Sequence, residues 1–421
     1  MKSISLIDKK VDVERKGNFM DAIAKKIVLA TLAKLCYGHL TINDNDETYS
    51  FGEPINTAEV VAHITVSHPS AYRQVMLNGT IGSGEAYMQG AWHSADLVQV
   101  IRVFVKNMDI VAGMDSRWNF ALQIAANIAH KFKANSKDNA KNNIAAHYDL
   151  GNDFFKLFLD PTMLYSSAIY PSKTATLHDA SLYKMQHICE RLNLSAKDHL
   201  LEIGTGWGGM AIFAAKTTGC KVTSVTISNE QYRYACDWVK REKLEHLVDI
   251  QLKDYRDITG SFDKLLSIEM IEAVGYQYYS TYFKQCSALL KPTGKMLIQA
   301  ITISDQRYHQ ERDTVDFIQR YIFPGGCLPS NEIIAKHVRQ DTDMQIIGLE
   351  DITFDYARTL ADWKTAFFAR LKDVKAQGFD DVFIRMWEFY LCYCEGGFKE
   401  RVISTAQVLM AKPQCHDLPR V

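Results

Sequence analysis

The sequence predicts an α/β fold: a doubly wound, mostly parallel sheet preceded by a smaller, mainly helical N-terminal domain. Three observations carry this. Strand-like and helix-like stretches alternate from about residue 199 onward, the pattern of a parallel sheet covered by helices on both faces. A glycine-rich turn, Gly204-Thr-Gly-Trp-Gly-Gly209, joins the first of these strands to the first of these helices. Lys131 to Asn143 carries four lysines, one aspartate and almost no apolar side chain, so it reads as a linker. The expected organisation is a first domain over 1–130, the linker at 131–143 and a second domain over 144–421.

In the first domain, Met20, Ala24, Val28, Leu32 and Leu35 recur at three- and four-residue spacing, which predicts a helix over Phe19 to Cys36. Lys25, Lys26 and Lys34 lie among them. A helix packed on its own domain is the expectation, against a helix lying on a membrane surface. Gly82-Ser-Gly-Glu-Ala-Tyr-Met-Gln-Gly-Ala-Trp92 sets glycines beside aromatics and predicts a tight, shaped connection. After the linker, His199 to Ile203, Lys221 to Ile227, Val248 to Leu252, Lys264 to Ile268 and Lys295 to Ile303 are apolar or β-branched runs of strand length. Helices are expected from the glycine turn through Ala215, over Asn229 to Arg241 and over Tyr278 to Leu290, the last stopping at Lys291-Pro-Thr-Gly294. In sheets of this kind ligands bind beyond the carboxyl ends of the strands.

Composition narrows the function classes. The 421 residues include 48 Lys+Arg and 49 Asp+Glu, a net charge of -1, which argues against nucleic acid as a partner. The longest apolar stretch, Ile27 to Ala33, is far short of the roughly 20 residues that span a bilayer. The leading MKSISLIDKK has no signal-peptide core, so a cytoplasmic location is expected. Nine cysteines without a C-x-x-C pair suggest reduced thiols, and the 13 histidines show no zinc spacing, so no metal is expected.

Gly204, Gly206 and Gly209 satisfy G-x-G-x-x-G between a strand and a helix, where backbone approaches a cofactor closely and the helix N-terminus favours negative charge. The pattern alone serves a dinucleotide, S-adenosylmethionine or merely a turn. The second strand discriminates. It ends Val225-Thr-Ile-Ser228 without the carboxylate that a dinucleotide ribose calls for, leaving Thr226, Ser228 and Gln231 to hold a ribose. An ordinary dehydrogenase is thereby disfavoured.

Several motifs then coincide: Ala146-His-Tyr-Asp-Leu-Gly-Asn-Asp153, Asp160-Pro-Thr-Met-Leu-Tyr-Ser-Ser167, Leu201-Glu-Ile-Gly-Thr-Gly-Trp-Gly-Gly209, Ile271-Glu-Ala-Val-Gly275, Arg320-Tyr-Ile-Phe-Pro-Gly-Gly-Cys-Leu-Pro329 and Tyr390-Leu-Cys-Tyr-Cys-Glu-Gly-Gly-Phe398. In this combination, from about Ala58 onward, the chain resembles the cyclopropane-fatty-acyl-phospholipid synthases and the related mycolic acid methyltransferases. The resemblance implies a class I S-adenosylmethionine-dependent methyltransferase fold, Rossmann-like with a mostly parallel seven-stranded sheet. It implies Tyr165 and Ser166 near the methionine part of the cofactor, with Gly204 and Gly206 approaching it. Thr226, Ser228 and Gln231 meet ribose and adenine, and Asp254 and Tyr255 border the adenine. It also implies an unsaturated phospholipid at the membrane surface as partner, a lipid-docking N-terminal domain, peripheral association with the inner membrane face, and a homodimer.

An alkene is a weak nucleophile and attacks a sulfonium methyl only when held close, in line and away from water. The resulting acyl-chain cation calls for aromatic faces, for which Tyr165, Tyr170, Tyr308, Tyr321, Phe323 and Trp363 are candidates. Ring closure then removes a proton, and the resemblance implies a bound bicarbonate ion as base. Glu272, Tyr356 and the Ile301 backbone match the positions that hold it, and a carboxylate beside an anion requires a shared proton. Two positions depart: Gln299 stands where these enzymes carry histidine, and Ser167 where they carry cysteine. Glutamine donates and accepts but does not titrate, which raises methylated or methylene-branched chains as an alternative to the cyclopropane. Cys394 matches a family cysteine, and its surroundings in the sequence offer nothing to activate a thiolate. An N-methyltransferase on a small amine and a non-catalytic lipid binder remain the competing classes.

Overall fold

The computed structural model describes residues 17–110 and 150–417. The linker expected at 131–143 and the start of the Ala146 motif lie outside these residues. The chain divides into two compact units. One holds the described residues up to 110 together with Val315–Ile318 and Lys375–Glu400; the other holds 150–314, 319–374 and 401–417. A single cut in the sequence at 131–143 therefore does not separate them, because a helix from the far end of the chain, Asp381–Lys399, belongs to the first unit.

In the first unit, β1 (His39–Asp44), β2 (Glu47–Gly52), β3 (Val61–Val66) and β4 (Trp92–His93) form a four-stranded sheet in the order β2-β1-β3-β4, absent from the sequence expectation. The helix Phe19–Leu32 starts on a capping box between Asn18 and Asp21 and buries Ala24, Val28 and Leu32. It is shorter than expected; Met20 is exposed, and Leu35 is buried beyond its end. Its Lys25 reaches Asp44 at 2.5 Å and Glu47 at 2.7 Å, which fits a helix packed on its own domain. The expected connection at Gly82 to Trp92 is instead mostly helix: Ser70–Met88 is helical on both sides of a kink at Gly79 (φ +50°), and its second part runs through Gly82 and Gly84. The glycines serve close packing, since a Cβ on Gly84 would lie 2.5 Å from the ring of Phe317.

The second unit is built on a seven-stranded sheet in the order β10-β11-β9-β8-β5-β6-β7. Its strands are β5 (His199–Ile203), β6 (Lys221–Thr226), β7 (Val248–Leu252), β8 (Phe262–Ile268), β9 (Leu290–Ile303), β10 (Gln345–Asp351) and β11 (Ile403–Ala411). Strands β5 to β9 pair in parallel, while β11 is antiparallel to both β9 and β10. The central strands are rich in apolar residues because both faces are covered; Leu200, Leu265, Leu266, Met296 and Leu297 have no exposed surface. The strand order reverses between β8 and β5, so the crevice beyond their carboxyl ends is the topological switch point where such folds bind ligands.

Candidate active site

The loops that follow β5, β6, β7 and β8 all leave the same end of the sheet. After β5, Gly206 holds φ +52°, and no atom lies within 4 Å of the place a Cβ would take. This is backbone bared for a close approach, as the glycine pattern required. After β6, Ser228 caps the helix Asn229–Arg241 by accepting from the Gln231 N–H at 3.3 Å. Thr226 Oγ1 donates to Gln231 Oε1 at 3.0 Å and accepts from the Ser228 N–H at 3.1 Å. These three buried polar residues thus hold one another beside the glycine turn, and with open Gly206 they form a cradle that fits S-adenosylmethionine. After β7, Asp254 is engaged by Arg256 at 2.7 Å, and the ring of Tyr255 packs on Tyr282 with centroids 5.6 Å apart.

The chemistry-bearing cluster lies after β8. Glu269 directly follows the strand, and Glu272 is the middle residue of a single 3-10 turn over Ile271–Ala273. Oε1 of Glu269 accepts from the Ser167 N–H at 2.9 Å and from Gln299 Nε2 at 2.8 Å, and Oε2 accepts from the Tyr356 hydroxyl at 2.8 Å. Oε1 of Glu272 accepts from the Ile301 N–H at 2.5 Å, and its Oε2 is buried without a hydrogen-bond partner. Each donor is fixed by its own element. Gln299 lies on β9, where its Oε1 accepts from Gln407 of β11 at 3.0 Å. Tyr356 stands on the helix Thr353–Ala369, and Thr359 of the same helix takes the Ala168 N–H at 3.1 Å, which anchors the Ser167 loop. Lys184, with no exposed surface, donates to Ser166 Oγ at 2.7 Å.

Electrostatics separate the two carboxyls. Burial, reinforced by the charge of Glu269, pushes Glu272 up to about 8, so it carries a proton near neutrality. Burial also raises Glu269, but Lys184 and its hydrogen-bond donors pull in the other direction. Burial likewise lowers Lys184 to about 8, against the attraction of Glu269 and Asp160. Glu269 itself holds φ +48°, a left-handed conformation that costs a side-chain-bearing residue about 1–2 kcal/mol. Strain of this kind persists where surrounding contacts over-determine it.

Of the expected site residues, Glu272, Gln299, Tyr356, Ser167 and Ile301 converge, and Ser167 acts through its backbone. A free bicarbonate ion does not fit these donors. The Tyr356 hydroxyl and the groups of Gln299 and Ser167 are taken by Glu269, and a bicarbonate would have to displace that carboxyl from them. Glu269 went unread in the sequence although Glu269-Met-Ile-Glu272 sets two carboxylates three apart directly after a strand. Lys184 gave no signal at all. Cys394 lies in the other unit, on the helix Asp381–Lys399, where burial pushes its thiol far above the range of a reactive thiolate.

The aromatic candidates divide too. Tyr165 gathers Trp363 at 5.1 Å, Phe155 at 5.2 Å and Phe323 at 6.4 Å, and Trp363 meets Tyr356 edge-on at 6.1 Å. Tyr170, by contrast, has the Arg358 guanidinium 3.8 Å from its ring centre, while Tyr308 and Tyr321 face Arg312 and Arg320. A ring already facing a cation is a poor host for a second.

Residues 135–408 match the family described as mycolic acid cyclopropane synthetase. The chain is 38% identical over 368 residues to the tuberculostearic acid methyltransferase of Mycobacterium tuberculosis, covering 85% of this chain and 86% of that protein. It is 36% identical over 356 residues to the cyclopropane-fatty-acyl-phospholipid synthase of Escherichia coli K12, with 83% and 88% covered. Among solved structures, a cyclopropane synthase from Mycobacterium tuberculosis superposes with a TM-score of 0.61 at 27% identity, covering 65% of this chain and 98% of that one. A mycolic acid cyclopropane synthase complexed with SAH and CTAB gives 0.61 at 28% identity, with the same coverage.

Proposed function

Because the chain belongs to the mycolic acid cyclopropane synthetase family, an S-adenosylmethionine-dependent group, we propose that it adds a one-carbon unit to the cis double bond of an unsaturated phospholipid acyl chain and closes a cyclopropane. The observation that carries this reading is the junction at Trp363, which touches the ring of Tyr165 on one side and of Tyr356 on the other, whose hydroxyl holds Glu269. An aromatic wall thus runs directly into a buried carboxyl pair, as a reaction through an acyl-chain cation demands.

S-adenosylmethionine, when bound, supplies an activated methyl group. Gly204 and Gly206 admit it to the first loop, and Thr226, Ser228 and Gln231 offer hydroxyl and amide groups to its ribose side. Tyr165, Trp363 and Phe323 exclude water and present negative ring faces to the cation on the acyl chain. Glu272 holds its proton near neutrality, while burial raises Glu269 against Lys184 and three hydrogen-bond donors that favour its ionised form. No step runs through a bound bicarbonate.

No helix among the described residues is long and apolar enough to cross a membrane. The lipid is met at a surface in this reading, and the exposed Phe19, Met20 and Tyr37 of the first unit support a docking role for it. A second reading, a methyl or methylene branch in place of the ring, is favoured by the similarity to the tuberculostearic acid methyltransferase and by Gln299. Incubation with methyl-labelled S-adenosylmethionine and vesicles of unsaturated phospholipid, followed by fragmentation mass spectrometry, tests both. Label in a three-membered ring is the expected outcome; label in a branch selects the second reading, and unlabelled lipid refutes both.

A further inference from the structure

We propose that Glu269 is the base of the reaction, a carboxylate built into the chain on a set of donors that includes Tyr356, which the resemblance assigns to a diffusible anion. The inference rests on the lipid-alkylating reading above. Its observations are geometric. The Ser167 N–H, the Gln299 amide and the Tyr356 hydroxyl converge on the two oxygens of Glu269, at 2.8–2.9 Å. Glu272, which the resemblance pairs with the anion, keeps a buried oxygen without a partner in the same cluster. Glu269 also holds φ +48°, where glycine would sit at ease, so its side chain is kept against backbone preference. Through Tyr356 the cluster joins Trp363 and the aromatic wall.

The step balances without a co-reactant. After the double bond has gained the methyl group, the acyl chain carries one positive charge. The Glu269 carboxylate takes a proton from that methyl group. The electron pair of the broken C–H bond forms the remaining carbon–carbon bond of the ring, the charge on the chain is discharged, and Glu269 becomes the neutral acid. Loss of that proton to solvent restores the carboxylate. Lys184 and the donors favour the ionised form, while Glu272 keeps its own proton.

The full-length enzyme is assayed on unsaturated phospholipid vesicles in buffer depleted of carbonate and in buffer with added bicarbonate. The expected rates agree within about twofold. The Glu269→Gln variant is expected to form product about 100-fold more slowly, the scale of a lost general base, while calorimetry shows S-adenosylmethionine binding intact. The Glu269→Gly variant suits the backbone and vacates the anion position; added bicarbonate or formate is expected to raise its rate severalfold, which a merely structural role would not produce. Labelled lipid that ceases to form in the unaltered enzyme on carbonate depletion overturns the assignment, as does full turnover by Glu269→Gln. Absence of labelled lipid under every condition overturns the parent reading instead.

Discussion

Two glutamates of the same sheet unit differ in what surrounds them. Glu202, on β5, is 2% exposed and has Ser224 Oγ at 2.5 Å as its hydrogen-bond donor. Burial pushes it up to about 8. Glu269 is buried enough to be raised as well, but three donors and Lys184 oppose the rise. One carboxyl is a neutral acid that props the strand behind the glycine turn. The other meets a lysine and three donors that all favour its ionised form. Burial alone makes a weak acid, and the number of donors decides whether that acid is ionised.

The contrast breaks most completely if Glu269 is given the surroundings of Glu202. A Tyr356→Phe, Gln299→Leu double variant removes two of its three side-chain and backbone donors. Each donor to an ionised group contributes roughly 1.5–3 kcal/mol, so turnover on unsaturated vesicles is expected to fall by about 100-fold or more, with S-adenosylmethionine binding retained. Next in size is a stability effect at Glu202. Below pH 4.5 native and unfolded chains both hold its proton; from 4.5 to about 8 the unfolded chain releases it and the native chain does not. Wild-type stability therefore declines through that window by a few kcal/mol. Glu202→Gln is expected to match the wild type at pH 4.5 within about 1 kcal/mol and to exceed it at pH 8, as read by urea unfolding at both values. Tyr356→Phe alone should lower turnover about 10-fold, because Ser167 and Gln299 still hold Glu269. Smallest is Gln407→Leu, which removes the donor that orients Gln299; a loss of only a few-fold is expected, restored by Gln407→Glu only below the pH at which that carboxyl ionises.

Much of the sheet was legible because its signal is local. His199 to Ile203, Val248 to Leu252 and the helix Asn229–Arg241 fall where the local pattern put them. The helical stretch Ser70–Met88 was hidden because Gly82 and Gly84 imitate a turn; the reason for Gly84 is a tertiary contact with Phe317, more than two hundred residues away in the chain, and Gly82 packs closely on Gln74. Strands β10 and β11 went unread from pattern, the first because none of its residues is buried and Gly348 sits at a shift of register. In the site, Glu272, Gln299, Tyr356 and Ile301 were legible through resemblance. Glu269 was not, since a carboxylate after a strand reads as solvated until the fold brings Ser167, Gln299 and Tyr356 around it. Lys184, on an otherwise ordinary helix, becomes informative only once its burial is known.

The position of β11 has a consequence for biosynthesis. In chain order it follows every other strand of its sheet, yet in space it lies between β9 and β10. A nascent polypeptide that has not delivered it leaves the long apolar edge of β9 without hydrogen-bond partners, an open template for aggregation. The same strand carries Gln407, so the amide that orients Gln299 arrives with it. Closure of the sheet and maturation of the reaction centre are one folding event, and a ribosome stalled before β11 releases a chain that is both inert and sticky.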